Sequence, residues 1–234
     1  MSVLPANTLR RLSLGFPTLE NAFQGFELGD FGVLRGNAAS FMCFALSVRA
    51  QLPLRRGGLG SSIVFVDGGN TFNPYLVTGI AREYSLDSRA VLEKIHVSRA
   101  FTAYQLSSLI LEDLDSALKS SKAELLIVSD ITSLFLDRDV PKIEARELFI
   151  RVCAKLSEIA EKKQTIVVAS YFPERRSMRD LLFETVLFAK CNISIRMEKT
   201  GEAVAFSLED YAQLRAFNMA FTMGKNSLNS FMGV

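Results

Sequence analysis

The residues Gly36-Asn37-Ala38-Ala39-Ser40 lie between a short apolar run, Phe31 to Arg35, and a longer apolar stretch that begins at Phe41. Strand, glycine turn and helix in that order bind phosphate when the turn reads G-x-x-x-x-G-K-[ST]. The glycines aim backbone N–H groups at the phosphates, the lysine meets the β and γ charges, and the hydroxyl holds Mg²⁺. Here the lysine is missing, and Gly36, Asn37 and Ser40 are what the turn has left to hold a nucleotide. A helix N-terminus by itself attracts an anion by about 0.3–1 kcal/mol. Weak binding of ATP with Mg²⁺ is therefore compatible with the turn, and so is a plain strand-to-helix connection with no ligand. Carboxylates able to hold Mg²⁺ beside Ser40 stand at Asp67 and Asp130, each closing an apolar run. No cofactor is expected, and no residue is assigned a catalytic role.

The elements that must carry these residues follow from the hydrophobic pattern. From about Gly29 onward, short β-rich runs alternate with longer amphipathic stretches, as in βαβ units on a largely parallel sheet. Strands are predicted at Phe31 to Arg35, Ile63 to Asp67, Ile95 to Ala100, Leu125 to Ser129 and Thr165 to Ser170. Each is nearly continuous in apolar residues, which fits burial on both faces. Helices are predicted near Phe41 to Gln51, Pro74 to Tyr84, Ser88 to Lys94, Ala103 to Ser120 and Ile143 to Lys163. Pro74 suits a first helical turn, and Asp87 or Ser88 can cap the helix that follows. After Ser170 the pattern changes to Ile193 to Glu198 and Ala203 to Ser207, which flank a turn at Lys199 to Glu202 and read as an antiparallel hairpin.

A chain of 234 residues with 49% hydrophobic content is long enough for one well-buried α/β domain spanning 1–234, with 1–13 as a short extension. No apolar run approaches the roughly 18–20 residues that cross a bilayer, and the first residues lack a signal-peptide pattern, so a cytoplasmic protein with no membrane partner is expected. Cys43, Cys153 and Cys191 are an odd number without close spacing, which supports neither a disulfide framework nor a Cys-based metal site. His96 has no Cys or His neighbour in sequence and reads as a packed or partly exposed imidazole. A net charge of +2 is too small to announce a nucleic-acid binder, so function depends on where the charges lie.

The segment Phe65-Val66-Asp67-Gly68-Gly69-Asn70-Thr71-Phe72-Asn73-Pro74 resembles the Y-I-D-T-E-G-T-F-R-P segment of the RecA superfamily, in the RadA/RadB branch of archaeal and eukaryotic recombinases. Further segments fall in that family's order. Leu14 to Glu20 and Gln24 to Gly29 resemble the approach to the first core strand, Ala81 to Asp87 and Ile95 to Phe101 the elements after the second, and Glu144-Ala145-Arg146-Glu147 the helix after the first DNA-binding loop. The likeness runs from about Leu14 to about Met223. It implies a RecA-like P-loop NTPase core with helices on both faces of the sheet and antiparallel strands at the C-terminal end. It also implies that the departures fall on the chemistry. Ala39 stands where the family has its lysine, Gly69 where it has its water-activating Glu, and Ser129 where it has its magnesium-holding Asp, with Asp130 one residue late. Such ATPases position and polarise the γ-phosphate with all three, so ATP hydrolysis is not expected.

In the resembled family two loops at one edge of the sheet line the DNA groove, and their counterparts are Leu136 to Glu144 and Phe172 to Phe183. Arg138, Lys142 and Arg146 belong to the first region and the helix that follows, and Arg175, Arg176 and Arg179 to the second. Cations on loops can follow a phosphate backbone without reading bases, and Tyr171 and Phe172 can stack on single-stranded bases. Asp137, Asp139, Glu144, Glu174 and Asp180 interleave with them and weaken the field, so a solvated mixed-charge surface or a protein contact fits the same residues. The resemblance implies an accessory of homologous recombination or DNA repair that meets single- or double-stranded DNA, a RadA-type recombinase or another repair protein. Too few residues precede Leu14 for the family's N-terminal helical domain, so assembly into a long filament is not expected.

Overall fold

The computed structural model describes residues 10–17, 19–172, 177–201, 203–210 and 215–222. Two short strands, β1 (Arg11–Leu12) and β2 (Phe26–Glu27), pair antiparallel ahead of the main sheet. The chain then runs through β3 (Phe31–Arg35), α1 (Ala39–Arg49), β4 (Ile63–Asp67), α2 (Pro74–Glu83), α3 (Ser88–Glu93) and β5 (Ile95–Arg99). Next come α4 (Ala103–Ser108), α5 (Leu114–Ser121), β6 (Leu125–Ser129), α6 (Lys142–Lys163), β7 (Ile166–Tyr171) and α7 (Met178–Phe188). The strands β8 (Ile193–Thr200), β9 (Ala203–Asp210) and β10 (Arg215–Thr222) complete it.

The main sheet has the order β10-β9-β8-β3-β7-β6-β4-β5. Strands β8, β3, β7, β6, β4 and β5 pair in parallel, and β9 and β10 extend the β8 side antiparallel. This is the RecA-like arrangement that the resemblance implies. Side chains alternate along each strand, so every parallel strand feeds two cores. Leu34, Phe65, Ile127 and Val168 face the layer built by α1, α2 and α3, while Val33, Val66, Val128 and Val167 face the layer of α4, α5, α6 and α7. That double burial is why the strands read as unbroken apolar runs.

Connections that leave β3 and β4 cover one face, and those that leave β5, β6 and β7 cover the other, as right-handed crossovers require. Where neighbouring strands send their connections to opposite faces, the carboxyl ends open into a crevice that can take a ligand. The candidate residues among those described stand along this edge.

Two expected elements differ. The helix predicted over Ala103 to Ser120 is interrupted by a π turn at Leu109–Asp113. Its large buried side chains, Leu106, Ile110, Leu114 and Leu118, recur every four positions. In a straight α-helix that spacing drifts by about 40° per step, and a wider i→i+5 turn brings the stripe back to the core. Asp113, at the end of that turn, is exposed.

The second difference lies in the loop expected from Phe172 to Phe183, of which Met178 onward is helix α7. Ser177 accepts from the amide of Asp180 and the Asp180 carboxylate accepts from the amide of Ser177, a capping box that starts the helix. Phe183 and Leu187 then anchor it beside Phe149 of α6.

Candidate functional site

Along the carboxyl edge of the sheet, the phosphate turn is held by its own neighbours. Gly36 leaves β3 with a φ of +105°, and its N–H donates to the Tyr171 carbonyl at 3.2 Å. The Ala38 N–H donates to the Met197 carbonyl at 3.3 Å, and the Ala39 N–H to the Gly36 carbonyl at 3.1 Å. Asn37 locks the turn from outside: its amide donates to the Lys199 carbonyl at 3.1 Å and accepts from the Lys199 N–H at 2.6 Å. A Cβ on residue 36 would lie 2.3 Å from the Met197 carbonyl oxygen. Strand β8 therefore stands in the turn, and backbone carbonyls occupy donors that a phosphate would need. Ser40 is half-buried in the first turn of α1, and Ala38 gives that helix no side-chain cap.

Asp67 is fully buried at the end of β4. Its carboxylate accepts from the amides of Thr71 at 3.0 Å and Phe72 at 2.9 Å and from the Ser129 hydroxyl at 3.0 Å. The Arg99 guanidinium lies 3.3 Å away. One carboxylate thus closes the 68–72 turn and ties it to β5 and β6, which is how a buried charge is tolerated. Two strands, β7 and β6, separate β3 from β4, about 14 Å at ordinary strand spacing. The sheet therefore does not bring Asp67 to the phosphate turn.

Asp130 follows β6 with a φ of +50°, and its N–H donates to the Ser170 hydroxyl at 2.9 Å. Gly69, at the family's Glu position, is packed against it: a Cβ there would lie 2.8 Å from the Asp130 Cβ. The backbone at Gly69 and the Asp130 side chain are thus packed too closely for any side chain at position 69 without a shift.

The basic residues divide into groups. Arg138, Lys142 and Arg146 are exposed. Lys142 and Arg146 are four residues apart at the start of α6 and share a helix face. Arg179 turns inward, donating to the carbonyls of Asp137 and Val140 at 3.2 Å each and stacking on Phe183. It braces α7 against the segment before α6. Arg175, Arg176 and Glu174 lie outside the described residues. Of the interleaved acids, Asp180 is buried in its capping box and Glu144 accepts from the Tyr104 hydroxyl at 2.9 Å. Two carboxylates that seem in sequence to oppose the cations are thus engaged locally. Tyr171, expected to stack on bases, is buried in the core, whereas Phe172 is 46% exposed.

Between the ends of β6 and β7 is an open cavity of about 450 Å³. Asp130, Thr132, Arg138, Phe172, Ser177 and Arg179 are among the residues that line it. The cavity depends on α7, which sequence reasoning missed although Ser177-x-x-Asp180 before an apolar run is a helix-start signal. His96 is exposed on the edge strand β5, and among the described residues no three His, Cys, Asp or Glu side chains group as metal ligands. Cys43 and Cys153 are buried, and burial pushes the Cys43 thiol up to about 12. None of the described helices is long and apolar enough to cross a membrane.

Residues 25–171, well over half of the chain, match the Rad51 family model. Over 114 residues the chain is 31% identical to the DNA repair protein RAD51 of Mycosarcoma maydis, a stretch that covers 47% of this chain. The aligned part spans about a third, 33%, of that relative's length.

Proposed function

We propose, from the premise that the chain belongs to the Rad51 family, that it is a non-catalytic paralogue serving as an accessory in homologous recombination or DNA repair. It binds DNA, an active RadA-type recombinase or both, in the cytoplasm, and does not hydrolyse ATP. The observation that carries this reading is the state of the phosphate turn. The amides of Gly36, Ala38 and Ala39 are bonded to carbonyls, and no lysine stands at Ala39 to meet a γ-phosphate. With Gly69 and Ser129 in place of the family's two acids, the chemistry of phosphoryl transfer has no polarising groups at their usual positions.

Support for DNA contact comes from the neighbouring part of the same edge, where Arg138 and the half-exposed Phe172 line one cavity and Lys142 and Arg146 are solvent-accessible at the start of α6. Cations near an aromatic suit a single-stranded backbone with its bases. Two measurements test the proposal together: steady-state ATP turnover, expected to be absent, and DNA binding across a salt series, expected to weaken steeply with salt.

Asp130 favours a second reading, because it lines an open cavity. In that reading an irregular site built from Ser40 with Asp130 holds ATP and Mg²⁺, whereas Asp67, buried and bonded within its own turn, drops out of it. ATP turnover that Asp130→Ala abolishes would establish it. Ile143 and Met178, 75% and 83% exposed, favour a partner-binding scaffold without a DNA role, which failure to bind DNA at low salt would select.

A further inference from the structure

We infer that the cavity at the ends of β6 and β7 receives an unstacked base of single-stranded DNA, an inference that rests on the reading of this edge as a DNA contact. Its volume of about 450 Å³ is within the range of pockets that take small heterocyclic ligands, about 300–1,000 Å³. The lining has the chemistry of a base and not of a phosphate. Phe172 is half-exposed and offers an aromatic face on which any base can stack.

Thr132 lines the cavity and is 99% buried, and its hydroxyl has no hydrogen-bond partner among the described residues. A buried polar group without a partner is uncommon and marks a place where a ligand can complete the bonding. A base edge, with donors and acceptors in one plane, can do so whichever way the hydroxyl turns.

Charge separates base from backbone. Inside, among the described residues of the lining, the carboxylates of Asp130 and Asp180 match the guanidinium groups of Arg138 and Arg179 in number. Arg179 is further engaged with two backbone carbonyls. Outside, Lys142 and Arg146 lie exposed on one face of α6 and supply the attraction for phosphates. The strand therefore runs along the start of α6 with one base turned into the cavity. A duplex keeps its bases paired and cannot fill it without unstacking.

The test compares three labelled probes by fluorescence anisotropy with the full chain at one salt concentration: a thymidine oligonucleotide, an abasic chain of equal length, and a duplex. The base-bearing strand is expected to bind about ten-fold tighter than the abasic chain, the range of one stacked base. Phe172→Ala, at an exposed position, and Thr132→Val, close in shape, should each reduce that ratio at least two-fold while leaving the salt slope and the duplex affinity unchanged. Equal binding of base-bearing and abasic strands overturns the base pocket while leaving the DNA contact intact. Failure of all three probes to bind overturns both. A ratio that neither substitution changes, or an equal loss for single strand and duplex, places the base elsewhere and overturns the inference.

Discussion

The phosphate turn between β3 and α1 and the cavity between β6 and β7 lie on the same edge of one sheet, yet their polar groups are arranged in opposite ways. At the turn, the chain satisfies itself: three amides meet carbonyls, and Asn37 is paired twice with the backbone of Lys199. At the cavity, the Thr132 hydroxyl has no partner among the described residues, Phe172 is half-exposed, and Arg138 is exposed. A site that has lost its ligand can close with internal hydrogen bonds, whereas a site that keeps one leaves groups unmatched. On this contrast rests the proposal that binding takes place at β6 and β7 and not at β3.

The sharpest break in this contrast would come at Asp67, whose carboxylate is a structural knot in this account. Asp67→Ala removes a buried acceptor of three hydrogen bonds and the partner of Arg99, and about 3 kcal/mol of stability should go with it. Urea denaturation measures this. An unchanged midpoint would mean that the carboxylate is held for a ligand.

Gly36→Ala comes next. It forces a side chain into a left-handed backbone with a carbonyl 2.3 Å from the new Cβ, and a loss of about 2 kcal/mol is expected. Retained stability in the same denaturation experiment would show that β8 yields easily, and that the turn can open for a phosphate. Ala39→Lys sharpens the comparison from the chemical side. Ala39 is buried, and with the turn closed the restored lysine should produce no ATP turnover in a coupled assay and should destabilise the chain by about 1–3 kcal/mol. Turnover gained by this one change would show that the turn is closed only for want of the lysine.

At the other region, removing Lys142 and Arg146 together should lower the log–log salt slope of single-strand binding by about 1.4, or about 0.7 per phosphate contact. A slope that does not move would remove α6 from the DNA path. The smallest effect concerns pH and is shared by both regions. Burial raises the Cys43 and Cys191 thiols and the Tyr171 phenol to about 12. The native chain keeps these protons while the unfolded chain releases them first, so their contribution is full below the ordinary thiol pKa of 9.0 and is lost as pH rises toward 12. The melting temperature should fall over that interval, and less so in Cys43→Ala.

Much of the fold is legible in the sequence because double burial leaves a plain mark: strands such as Ile63–Asp67 and Leu125–Ser129 are unbroken apolar runs bounded by polar residues. Local caps are legible too, with Pro74 in the first turn of α2 and the Asp87 carboxylate accepting from Ala90. What escapes is set at a distance. The closure of the phosphate turn joins Ala38 to Met197 and Asn37 to Lys199, contacts that leave no local pattern. Asp67 and Asp130 are alike in sequence, each an acid at the end of an apolar run, and only the fold separates the buried knot from the residue that lines the cavity. The two-residue strands β1 and β2 exist only through each other.

Single-strand DNA binding measured across a salt series, with and without Mg-ATP, tests the contrast most directly. Superimposable curves that weaken steeply with salt are predicted, because the cavity edge binds while the phosphate turn is closed. Affinity that rises with Mg-ATP would contradict the account, since the nucleotide would then have to enter the turn that β8 fills.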